Sequence, residues 1–118
     1  MSLVFIYGSI RKGNFNHTRY GFDKNTKFLS NAKLNGAKMY SLGSYPCIVL
    51  TNNPDDIVYG EIYEYLDEET ETKIRQMEIG AGYVEKEICI KGEKMKTFVY
   101  ENPKQSAKLV KSGDWNKR

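Results

Sequence analysis

Two stretches of the chain carry residue types with chemical use. The first is VFIYGSIRKG, Val4 to Gly13, where an apolar run ends in Tyr7-Gly8-Ser9-Ile10 and breaks at once into Arg11-Lys12-Gly13. A strand that only turns a corner needs the glycine alone. A strand tip of Tyr-Gly-Ser also offers main-chain N–H groups and a hydroxyl, donors suited to a carboxylate or a carbonyl oxygen. The second is Glu78, at the end of the helical stretch Asp67 to Glu78. Ile74 and Met77 set the core side of that helix, and Glu78 lies four residues after Ile74, on the same side. Partial burial and the negative end of the helix dipole both raise a carboxyl pKa toward the range of a general base. From spacing alone, a helix-end glutamate that swings into solvent is the more ordinary reading.

Other candidates carry less. Gly8 and Gly13 have the four-residue gap of a nucleotide phosphate loop, but Asn14 and Phe15 stand where that motif needs Lys and Ser/Thr. No helix start follows to meet a phosphate. Tyr7, Tyr45, Tyr83 and Tyr100 fit pocket walls, or simply cross-strand packing. His17 follows the glycine loop without a Ser–Asp or Cys partner, so a catalytic triad is unsupported. Cys47 and Cys89 sit in apolar runs and read as inert core thiols. With two cysteines and one histidine the chain lacks a zinc-site spacing, and no metal is expected. Free thiols fit a reducing cytosol better than a disulfide framework.

The elements that must position these residues are mostly strands. Leu3 to Tyr7 is a short buried strand. A weak helix is expected around His17 to Asp23. Lys27–Leu34 and Ala37–Leu42 form a predicted hairpin across Asn35-Gly36, and Cys47–Leu50 a further strand. Ile57–Leu66 (IVYGEIYEYL) alternates from Ile62 onward, with Gly60 marking a possible bulge. Asp67 is the N-cap of the best helix, whose acidic start and Lys73 and Arg75 suit the dipole. Tyr83–Lys91 and Lys94–Glu101 form a second hairpin, with Gly92-Glu93 as a type II′ turn. The expected fold class is α+β: a curled, mostly antiparallel, barrel-like sheet with one main helix.

The 118 residues fit one domain, placed at 1–103 with a basic C-terminal tail at 104–118. Forty per cent apolar residues can build a core, while 28% charged residues and a mean hydropathy of −0.61 give a well-solvated surface. The formal charge of +3 is too mild to imply nucleic acid, and no aromatic ladder interleaves the lysines of the tail. Neither a signal peptide nor a membrane span is expected. A cytoplasmic protein with no nucleic-acid or membrane partner is the expectation.

Four blocks, in order, resemble one family. VFIYGSIRKGNFNH is similar to the opening of the γ-glutamylcyclotransferase-like proteins, AKMYSLGSYPCIV to their second block, VYGEIYEYLDEE to their third and IRQMEIGAGY to their fourth. The short Arg-Lys-Gly-Asn run resembles the γ-glutamylamine cyclotransferase and avirulence-induced-gene-like branch. The resemblance implies that Tyr7, Gly8, Ser9 and Ile10 hold the γ-glutamyl moiety and that Glu78 is the base, with Tyr83 and Tyr100 as pocket walls. It implies a cofactor-free enzyme acting on a γ-glutamyl amine or γ-glutamyl amino acid and releasing 5-oxoproline and the free amine. A non-catalytic small-molecule binding module of the same fold is the alternative. Glu85 departs from the pattern, standing where the family often places Arg.

Overall fold

The computed structural model describes residues 2–8, 11, 22–43, 45–100 and 107–117. Eight strands and one α-helix follow in the order β1 (Leu3–Ile6), β2 (Thr26–Asn35), β3 (Ala37–Ser41), β4 (Pro46–Leu50), β5 (Ile57–Tyr65), α1 (Glu68–Gly80), β6 (Val84–Ile90), β7 (Glu93–Val99) and β8 (Lys108–Leu109). A five-stranded sheet has the order β2-β5-β1-β7-β6, and a three-stranded sheet the order β4-β3-β8. The β1–β7 pairing is parallel and the other pairings are antiparallel. The Tyr100 N–H donates to the Ile48 carbonyl (3.1 Å) and so ties the end of β7 to β4. This is the expected α+β architecture, a curled and mostly antiparallel sheet with one α-helix among the described residues.

The apolar alternation of β1 explains the layering, because successive side chains point to opposite faces. Phe5 and Tyr7 join Leu34, Met39, Ile48, Val58 and Val99 in a core between the two sheets. Val4 and Ile6 face the other way, into a core with Phe22, Tyr63, Tyr65, Ile74, Tyr83 and Phe98. The helix packs on that second face through Thr70 and Ile74, its buried residues. Asp67 caps it as expected, its Oδ1 accepting from the Thr70 N–H at 2.6 Å.

Four local expectations are corrected. Asn35-Gly36 is not a hairpin turn: β2 pairs with β5 while β3 pairs with β4 and β8, so the chain turns a corner there between the sheets. The bulge lies in β2, between Phe28 and Ser30, and Gly60 serves close approach instead. A Cβ on Gly60 would sit 2.5 Å from the Ile6 carbonyl oxygen. The β6–β7 turn is Lys91-Gly92, with φ of 51° and 82°, the type I′ pattern rather than II′. The helix runs on to Gly80, which leaves Lys73 and Arg75 mid-helix, paired with Glu69 and Glu71, and no basic residue in the last turn.

The stretch 104–118 is the basic C-terminal tail of the sequence reading. Within it, β8 pairs with β3, and Val110 and Trp115 are buried in the core between the sheets. The expected helix around His17 falls largely outside the described residues; Phe22–Lys24 form a turn. No helix among the described residues is long and apolar enough to cross a membrane.

Candidate active site

The site forms where the two cores meet. Tyr7 leaves the tip of β1, Pro46 and Cys47 open β4, Glu78 stands in the last turn of α1, and Tyr83 and Tyr100 flank the β6–β7 hairpin. Gly8 is needed here, because a Cβ would lie 2.7 Å from the Pro46 ring, which has no freedom to swing away. The loop after β1 is thereby seated against the start of β4. Ser9, Ile10 and His17 lie outside the described residues.

Glu78 follows Thr70 and Ile74 on the buried stripe of the helix, and it is itself partly buried. Burial pushes its carboxyl up to about 7. Its place in the last helical turn acts in the same direction. Its carboxylate is near enough to Tyr7, Tyr65, Tyr83 and Tyr100 to disfavour ionisation of each. Burial is the larger cause for all four phenols, whose pKa values are raised, so they remain protonated around neutral pH.

The two inner phenols already spend their protons. Tyr7 Oη donates to the Phe98 carbonyl and Tyr83 Oη to the Pro46 carbonyl. The Tyr7 oxygen also accepts from the Ile48 N–H, so the acceptors left for an ammonium group are the Tyr83 oxygen and the Glu78 carboxylate. Tyr100 lies outside Tyr83, with ring centroids 4.4 Å apart, and its hydroxyl donates to the Ala81 carbonyl at 2.7 Å. Tyr45 hydrogen-bonds Tyr100 and continues this wall to the surface.

The structure thus brings Glu78, Tyr7, Gly8, Tyr83 and Tyr100 into one neighbourhood. Tyr65, absent from the sequence candidates, also lies beside Glu78. Its signal was the β5 alternation, which puts Tyr63 and Tyr65 together on the helix face. Cys47 is a buried thiol at this site, pushed up to about 11 by burial, and so an inert one. Cys89, also expected in the core, is exposed on the edge strand β6. Glu85, the departure from the family pattern, is held by Arg75 Nε at 3.0 Å. Among the described residues no group of three or more His, Cys, Asp or Glu side chains is placed to hold a metal ion.

Comparison with known proteins converges on one family. The family model for gamma-glutamyl cyclotransferase, AIG2-like proteins matches residues 4–117. MJ1514 of Methanocaldococcus jannaschii is 34% identical over 98% of this chain and 96% of its own. The gamma-glutamylcyclotransferase family protein YtfP of Escherichia coli K12 is 30% identical over 95% of this chain and 94% of its own. The crystal structure of PH0828 from Pyrococcus horikoshii superposes with a TM-score of 0.81 at 30% identity, covering 99% of this chain and 92% of that one.

Proposed function

The chain belongs to the gamma-glutamyl cyclotransferase, AIG2-like family, and from that premise we propose that it is a cyclotransferase acting on a γ-glutamyl amine or γ-glutamyl amino acid. The observation that carries the reading is Glu78, a partly buried carboxyl raised to about 7 and set beside the Tyr7–Gly8 strand tip. A residue that only binds has no need of such a pKa. A general base working near neutral pH does.

The chemistry needs little else from the protein. The substrate's α-ammonium sits against Glu78 and the phenol oxygen of Tyr83, with the Tyr7 ring as the neighbouring wall. Glu78 takes one proton, and the freed amine attacks the substrate's own γ-carbonyl carbon. The new C–N bond closes a five-membered ring and the carbonyl oxygen becomes an oxyanion. Main-chain N–H groups of the loop after β1 stabilise that charge, the role given to Gly8, Ser9 and Ile10. The oxyanion then collapses, the original C–N bond breaks, and the proton held by Glu78 passes to the departing nitrogen; the freed carboxylate takes the extra proton from the ring nitrogen and hands it on to the amine, which leaves as its ammonium. The products are 5-oxoproline and a free amine, without any cofactor. Because nucleophile and electrophile share one molecule, the site's main contribution is to fold the substrate into a ring-closing pose.

The two free cysteines accord with a reducing, cytoplasmic setting. The partner expected at the site is a small molecule, and neither nucleic acid nor membrane has a role in the reaction. Incubation with a panel of γ-glutamyl amines and γ-glutamyl amino acids, followed for 5-oxoproline, tests the proposal. Turnover of at least one compound, lost in Glu78→Gln, is the expected result. Saturable binding of γ-glutamyl compounds without any 5-oxoproline overturns it in favour of a binding module.

A further inference from the structure

Arg11 follows the candidate substrate loop, yet it is only 8% exposed and points into the protein. Its Nε contacts Glu61 Oε2 at 3.2 Å and a terminal guanidinium nitrogen contacts Asp114 Oδ1 at 2.8 Å. Glu61 sits in β5 opposite Ile6 of β1, and its other oxygen accepts from Tyr63 Oη at 2.8 Å. Asp114 is equally fixed. Its Oδ1 accepts from the Asn116 N–H at 3.0 Å at the start of a short 3₁₀ turn, Trp115–Lys117, anchored by the buried Trp115. The main chain of Arg11 closes the loop in turn, its N–H donating to the Gly8 carbonyl at 3.0 Å. A guanidinium presents several donors in a rigid fork, so holding both carboxylates fixes its orientation as well as its charge.

We propose that Arg11 is a positioning residue for the substrate loop, and that the C-terminal segment sets the loop's geometry through Asp114. The proposal rests on the reading of Tyr7–Gly8 as the loop that holds the γ-glutamyl group. Gly8 is pinned on one side by Pro46 and on the other by the Arg11 turn. The hydrogen bond that holds the Gly8 carbonyl is made by a residue whose side chain is anchored 50 and 103 positions away. Residues 107–117 act on the reaction without touching substrate.

Arg11→Ala would strand the buried Glu61 and the partly buried Asp114 and can fail to fold, so the tether is tested from its outer end. Asp114→Ala removes the anchor, and Asp114→Asn keeps an oxygen for both bonds. Amide hydrogen exchange is read beside 5-oxoproline kinetics. In Asp114→Ala the Arg11 amide is expected to exchange at least roughly tenfold faster, with the amides of β5 and α1 unchanged. Its kcat/KM is expected to fall by roughly 10- to 10²-fold, the cost of a misplaced reactive geometry. The limb of the pH profile near 7 stays in place because Glu78 is untouched, and Asp114→Asn recovers most of both effects.

An unchanged Arg11 amide, or faster exchange with full activity, overturns the proposal. So does a uniform rise across all strands, which marks general loosening. If the wild-type protein forms no 5-oxoproline from any γ-glutamyl compound, the functional reading fails, and the exchange pattern alone decides whether Asp114 orders the loop.

Discussion

Replacing Glu78 by Gln should sharply slow turnover and at the same time make the protein more stable at alkaline pH. In the folded chain the carboxyl is raised from 4.5 to about 7, so burial disfavours its charged form. The sign follows from linkage. A group whose pKa is higher folded than unfolded binds protons more tightly in the native state, so its contribution is fully present below 4.5 and is lost as pH rises toward 7. Above about 7 the whole penalty is in force. The shift corresponds to a ceiling of about 3 kcal/mol, at 1.36 kcal/mol per pKa unit. Residual solvent contact lowers that to about 1–3 kcal/mol. For a chain of this size the gap is roughly 5–15 °C in Tm. Thermal unfolding of both proteins at pH 4.5 and pH 8 reads it directly: the curves should nearly coincide at the lower pH and separate at the higher, with the Gln variant more stable. Comparing the two pH values cancels any fixed packing cost of the amide. In parallel, 5-oxoproline formation should fall by roughly 10²–10⁴-fold, the usual contribution of a general base. A gap that does not change with pH, or a wild type that is the more stable at pH 8, would refute the claim that Glu78 is held charged against its surroundings.

The remaining expectations are simpler to read. The wild-type kcat/KM for 5-oxoproline formation should rise with pH through an apparent pKa near 7, since only the deprotonated Glu78 accepts the proton; a flat profile from pH 5.5 to 8.5 removes it from the rate equation. Gly60→Ala forces a methyl against the Ile6 carbonyl and the Phe5 ring and should cost about 2–4 kcal/mol in urea unfolding. Tyr83→Phe leaves the buried Pro46 carbonyl without its donor and should cost about 1–3 kcal/mol by the same assay. Trp115→Ala should cost about 3–5 kcal/mol, whereas a solvated tail would tolerate the change within experimental error.

What could be read from the sequence was whatever depends on near neighbours. The cap at Asp67, the acidic first turn and the Ile74–Met77–Glu78 spacing are local, and they placed the proposed base on its helix. The alternation in Ile57–Leu66 is also local, and it gave a correct strand. Asn35-Gly36 shows where local signals fail. The dipeptide favours a tight turn, but pairing is decided by which strand covers which apolar face, and β2 finds β5 rather than β3. Trp115 was hidden because its neighbours in sequence are polar while its neighbours in space are Val110 and the inter-sheet core. Arg11 was hidden for the same reason. A basic residue in a glycine-rich loop reads as solvent-facing until the two carboxylates that receive it are known.

The parallel pairing of β1 with β7 has a consequence in time. β1 lies at the centre of the larger sheet, yet its two partner strands are Ile57–Tyr65 and Glu93–Val99, and Tyr7 reaches across 91 positions to Phe98. Pairings of such long range close large loops before any contact rewards them, which slows folding toward the millisecond-to-second range. During synthesis at about 5–20 residues per second, the first strand must wait roughly 5–20 s for its second neighbour to be made. A nascent chain therefore carries the glycine loop exposed long before it carries a reaction centre. The complete arrangement therefore arrives late, once the β6–β7 hairpin and the segment that carries Asp114 have both been made.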